Sequence, residues 1–257
     1  MIQKYTDIHP NARIDTGVNI QNFVTIEENV VIGKNCWIGS GAVIMNGARL
    51  GDNVKIFPGA IIAGIPQDLK FDGEESLVEI GDNTTIREYV TINRGTAAAG
   101  TTHIGQNCLI QAYCHIAHDC IIGDHCIMSN NATLAGHVTL EDYAILGGMS
   151  AVHQFSRVGA HTMIGGYSKV RTDVPPYVKA DRDPLAYEGV NSIGLKRRGF
   201  SQERVHHIQD IYRILFVFGK NFNKSIEQIK ETIPESEDKT LILDFLNQST
   251  RGIIKGI

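Results

Sequence analysis

No stretch of the 257-residue chain approaches the ~20 consecutive apolar residues of a membrane helix, so no membrane insertion is expected. The opening Met1-Ile-Gln-Lys-Tyr-Thr-Asp lacks the apolar run of a secretory signal, which makes the cytoplasm the expected compartment. Cysteine is scarce and odd in number, five residues without a CxxC pair, which excludes a disulfide framework and a simple structural zinc site. Charge of one sign is nearly balanced away: 24 Lys and Arg against 28 Asp and Glu leave a net charge of -4, too little to attract nucleic acid globally. Aromatic residues amount to 7%, with one tryptophan, while 42% of the chain is hydrophobic and 20% charged. That balance excludes disordered, collagen-like and coiled-coil chains. One basic excess stands out: Lys196, Arg197, Arg198, Arg204, Arg213, Lys220 and Lys224 against Glu203 and Asp210, where an acidic partner or a phosphate would dock.

What the chain does have is a period of six. Aliphatic residues recur at Ile8, Ile14, Ile20, Ile26, Ile32, Ile38, Ile44, Leu50, Ile56 and Ile62, again at Ile80, Ile86 and Ile92, and without a break from Ile104 to Val170. Four residues after each anchor comes a small or β-branched residue, and all five cysteines fall there, which reads them as buried fillers. Three residues after the anchor, Gly or Asn recurs, types that tolerate the positive φ of a tight corner. Neither a helical nor a strand period explains this; a hexapeptide repeat does, and it predicts an all-β solenoid, a parallel β-helix whose coils of three hexads stack about 4.8 Å apart. Residues 18 apart then become vertical neighbours.

Two stretches break the hexads, residues 65–79 and 97–103, and are expected as loops projecting from a corner. The repeat ends at Pro175-Pro176 in this reading, with the β-helix assigned to residues 1–183 and a small helical domain to residues 184–257. Periodicity at Val205, Ile208, Tyr212, Leu215 and Phe216 marks one helix; Ser225 with Gln228 reads as a capping box for a second, and residues 238–248 as a third.

Histidines cluster at His115, His118, His125, His137, His153 and His161. Stacking by 18 puts Gly136 directly above His118, so a general base lies beside a backbone N–H able to hold an oxyanion, the two elements acyl transfer needs. Asp119 and His137 share the neighbouring column, either able to tune the base, and Gln154 completes the His118 column. His125, His137 and His161 occupy the corner position that Asn or His fills for backbone reasons alone. A zinc reading stays open, with His115, His118 and His137 as ligands of a trimeric hydrase resembling the β-helix class of carbonic anhydrase.

The segments His115-Ile-Ala-His118-Asp119-Cys120, Asn131-Ala-Thr-Leu-Ala-Gly136-His137-Val138, Ala151-Val-His153-Gln154-Phe155 and Gly194-Leu-Lys-Arg197-Arg198-Gly-Phe200, in this order, closely resemble the UDP-N-acetylglucosamine 3-O-acyltransferase family. The resemblance implies a left-handed β-helix with a C-terminal helical domain and a homotrimer with sites between subunits. It also implies transfer of a 3-hydroxyacyl chain from acyl carrier protein to the sugar 3-hydroxyl of UDP-N-acetylglucosamine, the first step of lipid A synthesis, with neither cofactor nor metal. By resemblance, His118 is the general base, Asp119 holds it and the Gly136 N–H receives the oxyanion. Asp68, Lys70, His115, His137, His153, Gln154, Asn191, Arg197 and Arg198 contact substrate, and Gly166 sets acyl length. The chain departs from the family at Asn93, where His is common, at Ile193, where Glu is common, and at Pro66 in place of Asn. These departures touch the sugar-nucleotide contacts and leave a 3-amino UDP-sugar open as acceptor.

Overall fold

The computed structural model describes residues 1–218 and 221–256; Lys220 of the basic run lies outside them. Each anchor lies in a short strand, as its second residue except at Leu50, Ile80 and Ile104, and from Ile20 to Val170 every anchor is buried. Among the described residues these strands form three sheets, which the chain visits in turn. Sheet one runs from Asp7–Ile8 to Lys169–Val170, and sheet two from Arg13–Ile14 to Arg157–Val158. Sheet three runs from Asn19–Ile20 to Met163–Ile164 and onward. Pairing is parallel with an 18-residue step, as in Asn19 to Trp37 and His115 to Thr133. The result is a triangular prism, a parallel β-helix of hexapeptide repeats followed by a helical region. Burying each aliphatic anchor contributes about 1.5–3 kcal/mol before entropy is subtracted. The five cysteines are all buried fillers, and burial pushes the thiols of Cys114 and Cys120 up to about 11 and about 12.

Three edges follow: a first between sheets one and two, a second between sheets two and three, and a third between sheets three and one. Corners take the left-handed conformation three residues after the anchor, with φ of 57° at Asn35, 59° at Asp119, 60° at His137 and 59° at His161. Both interruptions project from the first edge. They lengthen their coils, so that Lys55 pairs with Thr85 and Thr85 with Leu109. The last residues of both stretches are strand: Leu77–Ile80 pairs in register with Thr101–Ile104.

The hexads end at Pro175-Pro176, but sheet three extends beyond them. Val178–Asp181 stacks in parallel on Met163–Ile164 and Ala186–Val190 returns antiparallel to it, a hairpin on sheet three that spans the boundary drawn at residues 183 and 184 from the sequence. Helices α1 (Ser192–Arg197), α2 (Gln202–Tyr212), α3 (Phe222–Thr232) and α4 (Glu237–Gln248) follow, with α2 running into a wider turn over Arg213–Phe218. The expected Ser225–Gln228 capping box is not the start of α3. Asn221 is its N-cap, accepting from the Lys224 N–H at 3.1 Å, and Ser225 lies inside the helix, its hydroxyl donating to the Asn221 carbonyl. The helical region is tied to the solenoid end by Asp238, which accepts from the Tyr177 hydroxyl at 2.6 Å and from Arg204 Nε at 2.7 Å. No described helix is long and apolar enough to cross a membrane.

Candidate active site

The second residue after each anchor turns its backbone N–H out of the strand ladder, and the fold must satisfy it elsewhere. On the second edge, aspartates of the next coil do so: Asp52, Asp82, Asp124 and Asp142 accept from Lys34, Asp52, Gln106 and Asp124 at 2.7–2.9 Å. On the first edge the same position carries His118, Gly136 and Gln154, and among the described residues none of the three N–H groups has a protein partner; that of Gly136 is the one that belongs to a residue packed against the His118 ring. A Cβ on Gly136 would stand 2.6 Å from His118 Cε1 and 2.7 Å from Nε2, so only glycine fits beside this imidazole.

His118 is buried, and its Nδ1 lies 2.7 Å from Asp119 Oδ2. Asp119 accepts at Oδ1 from the Thr96 N–H at 2.9 Å and at Oδ2 from the Thr96 hydroxyl at 2.7 Å. Burial works against the Asp119 charge, but the hydrogen bonds from His118 and Thr96 outweigh it and hold the carboxyl below its ordinary 3.8. An ionised carboxylate only accepts, so His118 carries its proton on Nδ1 and presents the Nε2 lone pair beside Gly136. The backbone N–H of Asp119 donates to Thr102 Oγ1 at 2.8 Å, which settles the left-handed corner. His137 places Nε2 3.6 Å from Asp119 Oδ2 and stacks on Phe155 with centroids 4.6 Å apart.

The other expected residues divide among three edges. Asp68 and Lys70 sit in the first loop, Asp68 accepting from the Lys70 N–H at 3.0 Å. His115 faces outward on sheet one, its Nδ1 2.7 Å from Thr91 Oγ1, and burial lowers its pKa from 6.5. His153 is exposed and its Nδ1 accepts from Arg251 Nη2 at 2.9 Å. Asn191 and Arg198 lie against the second edge. Asn191 caps α1 and donates to the His161 carbonyl at 2.9 Å, while the Arg198 guanidinium sits 5.1 Å above the Tyr143 ring. Arg197 is exposed on the same helix, as is Ile193. Gly166 is exposed on the third edge, where a Cβ would lie 3.3 Å from the Gly148 carbonyl oxygen. Within one chain, therefore, the fold assembles His118, Asp119, Gly136, His137 and Gln154 with the loops, and keeps Arg197, Arg198 and Gly166 apart from them. Asn93 is buried at the root of the first loop, its amide donating to the Ile65 carbonyl at 3.0 Å.

Among the described residues, those whose ligand atoms all lie within 4.8 Å of one another are His118, Asp119 and His137. The fold thus substitutes Asp119 for His115 in the zinc trio weighed from the sequence, and both Asp119 oxygens already accept hydrogen bonds, an arrangement that orients an imidazole. Thr96, Thr102 and Phe155 complete the site and were not singled out by the sequence. For Phe155 the signal was available, since it lies 18 residues after His137.

The family described as Udp N-acetylglucosamine O-acyltransferase, domain 2, matches residues 173–254, and the six-repeat bacterial transferase hexapeptide family matches residues 29–64 and 101–136. The acyl-(acyl-carrier-protein)–UDP-N-acetylglucosamine O-acyltransferase of Chlorobaculum tepidum is 56% identical over 77% of this chain and 75% of its own. The protein of that name from Paracidovorax citrulli is 46% identical over 96% of this chain and 97% of its own. Among solved structures, UDP-N-acetylglucosamine acyltransferase from Bacteroides fragilis superposes with a TM-score of 0.97 at 47% identity, covering 99% of this chain and 100% of that one. The Francisella novicida enzyme gives 0.96 at 40%, covering 99% and 94%. With near-complete coverage in both sequence and structure, the chain belongs to the UDP-N-acetylglucosamine O-acyltransferase family.

Proposed function

We propose that this protein transfers a 3-hydroxyacyl chain from acyl carrier protein to the 3-hydroxyl of UDP-N-acetylglucosamine, the opening step of lipid A synthesis. The observation that carries the reading is the His118–Asp119 pair beside an unpartnered Gly136 N–H. His118 Nε2 takes the proton of the acceptor hydroxyl as its oxygen attacks the thioester carbonyl. The carbonyl oxygen becomes an oxyanion, and the Gly136 N–H donates to it. Collapse breaks the C–S bond, and the carrier thiolate leaves with the proton returned from His118. Asp119 keeps the proton of the resting imidazole on Nδ1 and stabilises the imidazolium between these steps.

Substrate-contacting residues on separate edges support a homotrimer, in which the first edge of one subunit meets the Asn191–Arg198 segment and the Gly166 edge of its neighbours. There Arg197 and Arg198 would face the diphosphate of the sugar nucleotide, while Asp68, Lys70, His115, His137, His153 and Gln154 line the cleft. The test is mass spectrometry of products formed from UDP-N-acetylglucosamine and 3-hydroxyacyl carrier proteins of graded length. A product heavier by one hydroxyacyl group is expected. No product from the folded protein, with product formed from the 3-amino sugar nucleotide instead, would replace the ester reading by amide formation.

A further inference from the structure

Thr96 immediately precedes the second loop and is buried at 7% exposure. Its N–H and its hydroxyl reach different oxygens of Asp119, at 2.9 and 2.7 Å. Two donors from one residue fix the plane of the carboxylate, which a single bond would leave free to rotate. The oxygen that takes the hydroxyl, Oδ2, is the one to which His118 Nδ1 donates at 2.7 Å. Thr96 is itself braced: its carbonyl accepts from the Gly100 N–H at 2.7 Å, and the next residue, Ala97, donates its N–H to Glu74 Oε1 at 2.8 Å. Glu74 lies in the first loop, where its Oε2 accepts from the Asp72 N–H at 2.9 Å. The Arg94 guanidinium covers the Phe71 ring of that loop at 5.3 Å. The loop carrying Asp68 and Lys70 is thus fastened to the loop that fixes Asp119.

We propose that Thr96 is a positioning residue for acyl transfer, clamping the Asp119 carboxylate so that His118 keeps one tautomer and one ring orientation, with Glu74 joining the clamp to the acceptor loop. The inference rests on the general-base reading of His118. It has an electrostatic consequence that a packing role lacks. The Thr96 hydroxyl shares Oδ2 with His118, so deleting it leaves a stronger acceptor for Nδ1–H and favours the imidazolium. The titratable groups facing the carboxylate are His118 and, at 3.6 Å, His137, with Cys120 and Glu74 beyond them.

The experiment compares Thr96→Val, Thr96→Ser, Glu74→Ala and His118→Ala by kcat, KM for UDP-N-acetylglucosamine and the pH profile of kcat/KM. Thr96→Val should lower kcat about 10–100-fold, the scale of losing a group that orients a catalytic imidazole, with KM little changed. Its acid limb should move to higher pH, and Thr96→Ser should restore both. Glu74→Ala should move kcat and KM together, because it loosens both loops. Activity of Thr96→Val within about twofold of the parent, an unmoved acid limb, or failure of Thr96→Ser to restore it overturns the clamp. Should Thr96→Val fail to fold, the smaller Thr96→Ala carries the same expectation. An active His118→Ala overturns the general-base reading and the clamp together; an inert His118→Ala beside a fully active Thr96→Val overturns the clamp alone.

Discussion

The first and second edges of the prism use one backbone template and the same residue type for different ends. His137 on the first edge and His125 and His161 on the second all stand three residues after an anchor with φ near 60°. On the second edge, His125, Tyr143, His161 and Tyr177 stack in a column with centroid spacings of 4.6, 4.8 and 5.5 Å. There burial and the Arg198 and Arg204 charges hold His161 down at about 4, a poor base. On the first edge, His118 points its Nδ1 at a buried carboxylate and its Nε2 at a glycine whose N–H is unclaimed. A histidine-rich solenoid therefore does not locate its own chemistry. What separates the first edge is the buried carboxylate partner of His118 and the glycine that admits its ring.

The widest separation between the edges should come from His118→Ala against His125→Ala. The first is expected to lower transfer about 10²–10⁴-fold with the melting temperature nearly unchanged. The second removes one stacked ring, so it should cost about 0.5–1.5 kcal/mol of stability and leave transfer within a few-fold. Steady-state transfer and thermal melts on both variants check the pair; loss of folding in His118→Ala would make that residue structural. Next in size is Gly136→Ala. Its methyl would collide with the His118 ring and disturb the oxyanion donor at once, a loss of about 10²–10³-fold in kcat. A variant as active as the parent would mean that the N–H does not receive the oxyanion.

The solenoid was legible because burial is strictly periodic: an Ile or Val must point inward once per hexad, and the chain has no other way to hide it. Gly136 beside His118 was legible for the same reason, since no insertion separates residues 118 and 136. Thr96 was not. The second loop lengthens its coil, so Thr96 meets Asp119 across 23 residues rather than 18, and stacking arithmetic passes over it. The hairpin of Val178–Asp181 and Ala186–Val190 was hidden by the Pro175-Pro176 pair, which shortens the last coil so that Met163 pairs with Lys179. Arg198 and Asn191 were read only as ligands, yet each also has work within its own chain, against Tyr143 and as the cap of α1.

The third edge offers a subtler contrast, a change of preference rather than of rate. Gly166 is exposed, and Asn130, Gly148 and Gly166 succeed one another along a shallow track. A longer side chain at Gly166 would project from that track, on the path that the trimer reading gives the acyl chain. Gly166→Met is expected to shorten the preferred acyl length with little loss in the best rate, measured by competition among carrier proteins of graded length. An unaltered length profile would remove Gly166 from the acyl path.

The smallest effect is a pH-dependent one on the second edge. His161 has a folded pKa of about 4 against an ordinary 6.5, because burial and then the Arg198 and Arg204 charges disfavour its charged form. Between these values the unfolded chain binds a proton that the folded chain does not, so stability falls as pH drops from 6.5 towards 4 and this residue adds no further slope below. Discounted for partial exposure of the ring, the coupling is of the order of 1 kcal/mol, roughly 2–4 °C in Tm for a chain of this size. His161→Phe should keep the stack between Tyr143 and Tyr177, since Phe155 already occupies the same kind of corner at φ 66°. Its melting temperature should therefore decline less than the parent's over that range, while transfer at neutral pH stays within a few-fold. Equal slopes in the two proteins would mean that His161 takes up its proton at the same pH in the folded chain as in the unfolded one, and that the second edge can hold a charge its stacked rings and arginines argue against.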